Sequence, residues 1–183
     1  RDFESSSSAL NSLGLANRLN HQANDAVEDE CPIEGELVVM GQRIPVLVYV
    51  FKEGAKRDSY MARYGVIFML NGQKHGDFKA GFFSTKAVDK THLRGSLGAL
   101  LDFSHVDPEI RDNLFLASRD RLRNNDFLKD LKAELEQFLK GNDLLRKMNM
   151  RRRQEQLDKL LADDAPLADV LRNLLKRSPL LAR

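Results

Sequence analysis

Val66-Ile67-Phe68-Met69-Leu70-Asn71-Gly72-Gln73-Lys74-His75-Gly76 is the stretch that decides the fold. Five large apolar residues in a row lack polar alternation, which marks a strand buried on both faces. The run stops at Asn71-Gly72, a dipeptide suited to a tight hairpin turn. Gln73, Lys74 and His75 follow, and Gly76 closes the group. On this reading a rigid strand carries a cluster of long donor side chains out to its tip, and loop tips on rigid scaffolds are where function concentrates. The alternative is an ordinary solvated turn.

Upstream, Glu36 to Lys52 reads as a hairpin. Leu37 to Met40 is one strand, Gly41-Gln42 the turn, and Ile44 to Phe51 the second strand, rich in β-favouring side chains. Pro45 lacks an N–H and belongs at a strand start or an edge. Lys52 to Arg63 is a polar connection. Tyr64 to Leu70 is the third strand, and Asp77 to Phe83 is expected as the fourth. Ala87 to Arg94 fits either a short helix or a loop, and Leu97 to Phe103 is a further apolar run.

Downstream the period changes. Asp107-Pro108-Glu109 has a capping residue, a proline preorganised for the first helical position and an acid at the positive end of the dipole, so a helix is expected to about Ser118. Phe127, Leu128, Leu131, Leu135, Phe138 and Leu139 keep helical spacing, with Gly141 as a stop and Asn142 as a new cap. Leu144, Leu145 and Met148 open another helix, and Pro166 opens a last one bearing Leu167, Val170, Leu171, Leu174 and Leu175. Strands first and helices later argue for α+β over doubly wound α/β. Three regions follow: 1–34 a linker or flexible arm with a serine run, 35–120 an α+β unit, and 121–183 a helical region.

Composition narrows the function classes. The 183 residues carry 29 Lys+Arg against 27 Asp+Glu, a balance that excludes neither nucleic acid nor protein partners. The single cysteine, Cys31, rules out an internal disulfide framework and fits a reducing, cytoplasmic compartment. No apolar run reaches the length of a membrane span, so no membrane partner is expected. The chain begins at Arg1, and both ends read as cut from a longer protein.

Several residue groups could carry chemistry. Lys74 is a mobile cation suited to a phosphate, Gln73 adds amide donors, and the flanking glycines allow close backbone approach. Ser118-Arg119-Asp120-Arg121-Leu122-Arg123 places Arg119 and Arg123 on one helix face, to join two domains or contact phosphate, or else to serve as a plain charged surface. Arg146, Arg151, Arg152 and Arg153 form a basic run able to neutralise DNA phosphates. Acidic residues dilute that run and no aromatics interleave for stacking, so a solvated face is the competing reading. Asp102, Ser104, His105 and Asp107 invite a metal or triad, but their spacing does not guarantee convergence, and no Gly-x-Ser-x-Gly elbow exists.

Gly72-Gln73-Lys74 at the end of a buried strand resembles the transducer domain of the GHKL ATPases, the group of gyrase B, MutL, the type VI topoisomerases and the MORC proteins. In gyrase-like members a Gln-x-Lys loop from this domain reaches the nucleotide held by the preceding domain, and its lysine touches the γ-phosphate. Lys74 matches that lysine, while Gln73 stands directly before it instead of one residue apart. Asn71 to Gly76 together with Ser118 to Arg123 is also similar to an uncharacterised bacterial branch of the group, over roughly residues 35 to 183. The resemblance implies a mixed sheet with a left-handed βαβ-type arrangement followed by a helical tail. It implies ATP with Mg as cofactor, bound mainly by a preceding domain, with Lys74 acting on the phosphate and Asn71, Gln73 and His75 beside it. It also implies a preceding ATP-binding domain as partner, with homodimer formation and DNA association as further possibilities.

No Asp-x-Gly-x-Gly motif and no Gly-x-x-x-x-Gly-Lys-Ser/Thr phosphate loop occur. This chain is therefore not expected to hydrolyse ATP alone. Two hypotheses stand: an ATPase-coupled transducer module working through Lys74, and a non-enzymatic DNA- or protein-binding module working through the basic C-terminal helices.

Overall fold

Five strands form one sheet in the order β1-β2-β5-β3-β4. They are β1 (Ile33–Val39), β2 (Gln42–Val50), β3 (Tyr64–Leu70), β4 (Gln73–Lys79) and β5 (Leu97–Asp102). Three helices follow: α1 (Pro108–Leu114), α2 (Asp126–Gly141) and α3 (Asp143–Asp163). The computed structural model describes residues 24–55, 57–61, 64–116 and 122–163. Residues 1–23, four of the six residues of the arginine motif (Ser118 to Arg121) and the helix expected from Pro166 lie outside the described residues.

The architecture is α+β with a mixed sheet. β1 pairs antiparallel with β2, β2 with β5, and β3 with β4, while β3 and β5 run parallel. Between the two parallel strands the chain runs through β4 and the 3₁₀ turns Ala80–Ser84 and Thr91–Leu93. Pro45 lies in the half of β2 that β5 does not reach, because the β2–β5 pairing begins at Val46. Its missing donor therefore costs no bond to a second neighbour.

β3 is buried on both faces, and each face has its own core. Val66 and Phe68 join Leu37, Ile44, Val46, Val48 and Leu101 beneath the helices. Ile67 and Met69 join Tyr49, Phe51 and Leu100 on the other face, which Val27 and the helical turn Asp58–Met61 cover. Alternate side chains of one strand thus serve opposite layers. The first layer is closed by Phe127, Leu131, Leu135 and Leu139, which recur along the inner stripe of α2. α2 is therefore a covering layer of the sheet. The arm expected to end at residue 34 is likewise attached at its C-terminal end: Val27 bridges Phe51, and the Glu28 amide donates to the Val50 carbonyl at 2.8 Å.

The caps act as the sequence implies. Asp107 accepts from the Glu109 amide at 2.8 Å with Pro108 at the helix start. Asn142 accepts from the Leu145 amide at 3.0 Å and so opens α3 directly after α2. α1 ends at Leu114, four residues short of the expected Ser118, and Phe115 then bridges Leu122.

Gly65 marks the closest approach in the sheet. A Cβ there would lie 2.8 Å from Ala80 Cα and 2.9 Å from its nitrogen. Backbone atoms cannot swing aside as a side chain can. Gly65→Ala is expected to lower stability by about 1–3 kcal/mol, as overpacking does, and urea unfolding of the variant against wild type measures it.

Candidate site on the edge strand

Asn71 and Gly72 have φ of 49° and 75°, so both lie in the left-handed region that a two-residue hairpin turn requires. The turn consists of these two residues alone. Gln73 pairs with Leu70 and Lys74 with Met69, so the polar trio belongs to β4. This corrects the expectation of a polar tip followed by a strand from Asp77. The physical reason is that turn residues with positive φ reverse the chain at once, and the ladder resumes with the next residue whatever its polarity.

The pairing then slips. Lys74 faces Met69, but Gly76 faces Phe68, which leaves His75 as an extra residue. Such a bulge re-aims side chains and is frequent on edge strands and beside functional sites. Here it turns two successive residues toward α1 and the segment after it. The His75 ring meets Phe115 edge-on, with centroids 5.4 Å apart. A Cβ on Gly76 would lie 2.6 Å from Leu122 Cδ2, so the glycine lets Leu122 seat against the strand. The two sequence motifs are thereby joined, since Leu122 begins the described part of the arginine motif. From Phe115 the aromatic packing continues through Phe103 to Phe68 in β3, at 5.3 and 5.8 Å.

Lys74 is engaged within the sheet. Its Nζ lies 2.9 Å from Asp77 Oδ1 and 4.3 Å from the centre of the Tyr64 ring. Asp77 also takes Lys79 at 3.0 Å. Burial pulls the Lys74 ammonium toward deprotonation, but the hydrogen bond and charge of Asp77, with a contribution from Tyr64, outweigh it and leave the pKa raised. Lys74 is thus a firmly charged, partly buried cation on an edge strand. Asp77 and Tyr64 are the partners that sequence reading missed; Asp77 stands three residues on, and β-strand spacing gave no reason to couple it to Lys74.

The turn is anchored from β5. The Asn71 amide donates to Ser104 Oγ at 3.0 Å, and Ser104 Oγ donates to Asp102 Oδ1 at 2.5 Å. Ser104 is therefore a bracket for the hairpin. His105 is exposed, and among the described residues no hydrogen bond joins it to this pair. Among the described residues, no cluster of three or more His, Cys, Asp or Glu side chains could hold a metal ion. Cys31 is a poor nucleophile: burial, opposed by the Val50 amide that donates to Sγ and helped by Glu28 and Glu30, pushes its thiol up to about 11.

The basic run on α3 is divided by the helix itself. Arg152 turns inward, with Nη2 2.8 Å from Glu28 Oε1 and 3.1 Å from the Phe51 carbonyl. Arg151 joins the same carboxylate at 3.0 Å. Arg146 and Arg153 face another way, onto a pocket shared with Lys90 and His92. Four arginines expected to act together thus fall on two surfaces, and Arg152 is committed to the interior. Among the described residues, no helix is long and apolar enough to cross a membrane.

No protein-family model matches the chain, and no curated protein matches it either.

Proposed function

We propose that this chain is an ATPase-coupled transducer module, and that its edge strand β4 meets the phosphates of ATP held by a preceding domain of the GHKL type. The observation that carries the reading is convergence. The Asn71 to Gly76 motif and the Leu122 end of the arginine motif are far apart in sequence, yet a bulge at His75 and a glycine at 76 bring them into contact. Lys74, the lysine that the resemblance assigns to the γ-phosphate, stands at the outer edge of the sheet with its charge secured. Nucleotide and Mg would be held mainly by the other domain, and the contribution of this chain is one cation with Gln73 and Asn71 beside it. A fixed cation that meets phosphate charge from outside stabilises the bound or reacting state electrostatically.

Coupling follows from what Lys74 must leave. To reach a phosphate its ammonium has to exchange Asp77 for the ligand, and Asp77 then keeps Lys79. ATP and ADP differ in whether that exchange is rewarded, which is the differential contact a two-state relay needs. β4 rests through His75 and Gly76 on Phe115 and Leu122, which lead into α1 and α2.

Hydrogen exchange on the complete protein tests the reading. A non-hydrolysable ATP analogue is expected to slow exchange of the amides from Asn71 to Gly76 while leaving Val38 and Met40, at the opposite edge of the sheet, as they were. Identical exchange of the Asn71 to Gly76 amides with and without the analogue overturns the proposal.

A further inference from the structure

We infer that the pocket between the Thr91–Leu93 turn and the first half of α3 binds a small phosphate-bearing ligand through a terminal phosphate. The pocket has a volume of about 620 Å³. Lys90, His92, Lys140, Arg146 and Arg153 line it, with Asp89 as its one lining carboxylate. The bases come from three places in the chain. Arg146, Asn149 and Arg153 share one face of α3 by helical spacing, Lys140 lies in the last turn of α2, and Lys90 and His92 come from the loop before β5.

The arrangement is held in place. The His92 amide donates to Asn149 Oδ1 at 3.1 Å, and His92 Nδ1 meets Gln156 Oε1 at 2.8 Å, so the loop is fastened to α3 at two points. Lys90 is 3 % exposed, and its Nζ donates to the carbonyls of Val88 and Lys140 at 3.4 and 3.3 Å. Among the described residues, Arg146 pairs with Asp143 at 2.8 Å, while no carboxylate lies at ion-pair distance from Lys90, Lys140 or Arg153. Burial, and the charges of Arg146 and Lys140 against the opposing Asp89, hold the Lys90 pKa below its ordinary value. A buried cation crowded by other cations is an arrangement that an anion relieves.

The recess selects the form of the anion. A terminal phosphate has three free oxygens and enters end-on toward the buried ammonium, with Arg146 and Arg153 able to take its oxygens in pairs. A phosphodiester inside a polymer is flanked by sugars on both sides and cannot enter in that way. Met150, 66 % exposed on the same wall, offers an apolar surface for the organic part of such a ligand.

Calorimetry on the 183-residue chain with inorganic tripolyphosphate tests the site. Saturable one-to-one binding is expected, and Arg146→Gln with Arg153→Gln should weaken it about tenfold or more, the scale of a charge-assisted hydrogen bond. Lys129→Gln with Lys132→Gln removes the same charge near the other end of α2 and should change affinity less than about twofold, because salt screens distant charges. Should the arginine pair fail to fold, Lys140→Gln decides: its backbone carbonyl still holds Lys90, and the loss of its side chain should weaken binding several-fold. No binding, an equal loss in both double variants, or an unchanged affinity in Lys140→Gln overturns the inference. A short oligonucleotide without a terminal phosphate that binds more tightly than tripolyphosphate, and loses that binding with the arginine pair, also overturns it and assigns the face to nucleic acid.

Discussion

If the chain works as the proposed transducer, Lys74→Ala is expected to lower ATP turnover, measured together with the ATP-binding domain, by about 10²–10³-fold, the usual consequence of deleting one fixed electrostatic donor to a reacting phosphate. The substitution is expected to leave the fold in place. Lys74 is half-buried on an edge strand, and what remains is Asp77 with Lys79 still 3.0 Å away. On the proposed reading the preceding domain would carry most of the nucleotide binding, so the loss should appear in kcat with affinity changed less. Asp77→Asn has the opposite sign. It frees the Lys74 ammonium from its 2.9 Å partner, lowers the cost of reaching a phosphate, and should raise affinity for ATP relative to ADP. Turnover unchanged in Lys74→Ala sinks the role of this lysine. Turnover lost in Lys74→Ala and in Asp77→Asn alike assigns the pair to strand stability instead.

The features legible in the sequence are those set by neighbours along the chain. The apolar run of β3, the Asn71-Gly72 turn, the Asp107-Pro108 start and the Asn142 cap each depend on residues within a few positions, and each formed as expected. The polar trio misled because a strand on the sheet edge needs no apolar pattern; what fixes Gln73 and Lys74 is their pairing with Leu70 and Met69, which hydrophobic periodicity cannot register. The candidate site was legible as a motif but not as an arrangement. The bulge at His75 and the Gly76–Leu122 seat depend on contacts between separate elements. Of the pocket, only Arg146 and Arg153 stood out in the sequence, as members of the basic run; Lys90, His92 and Lys140 gave no signal, because they lie on separate segments that only folding brings together.

Arg152→Met is expected to cost about 3 kcal/mol of stability, at the lower end of the range for breaking a buried ion pair by removing one partner. The guanidinium side chain is 8 % exposed and Glu28 13 %, so neither charge is well hydrated. The bonds join the middle of α3 to the segment before β1 and to the carbonyl of Phe51, the residue that follows β2, so one side chain fastens three parts of the chain. The value falls at the low end because Arg151 remains 3.0 Å from the same carboxylate and partly compensates it. In a domain of this size the loss corresponds to a fall of roughly 10 °C in the thermal midpoint. Arg151→Met, whose side chain is far more exposed, should cost less than about 1 kcal/mol. Adding Glu28→Gln to Arg152→Met removes the stranded charge and should restore part of the midpoint, and a double-mutant cycle by thermal unfolding measures the coupling. The same cycle separates a structural arginine from a nucleic-acid contact. If Arg152 belongs to the interior, the doubly substituted protein keeps the affinity of the wild type for duplex DNA at any salt concentration, whatever that affinity is. A steep loss of binding with the midpoint restored would instead place Arg152 on a nucleic-acid surface.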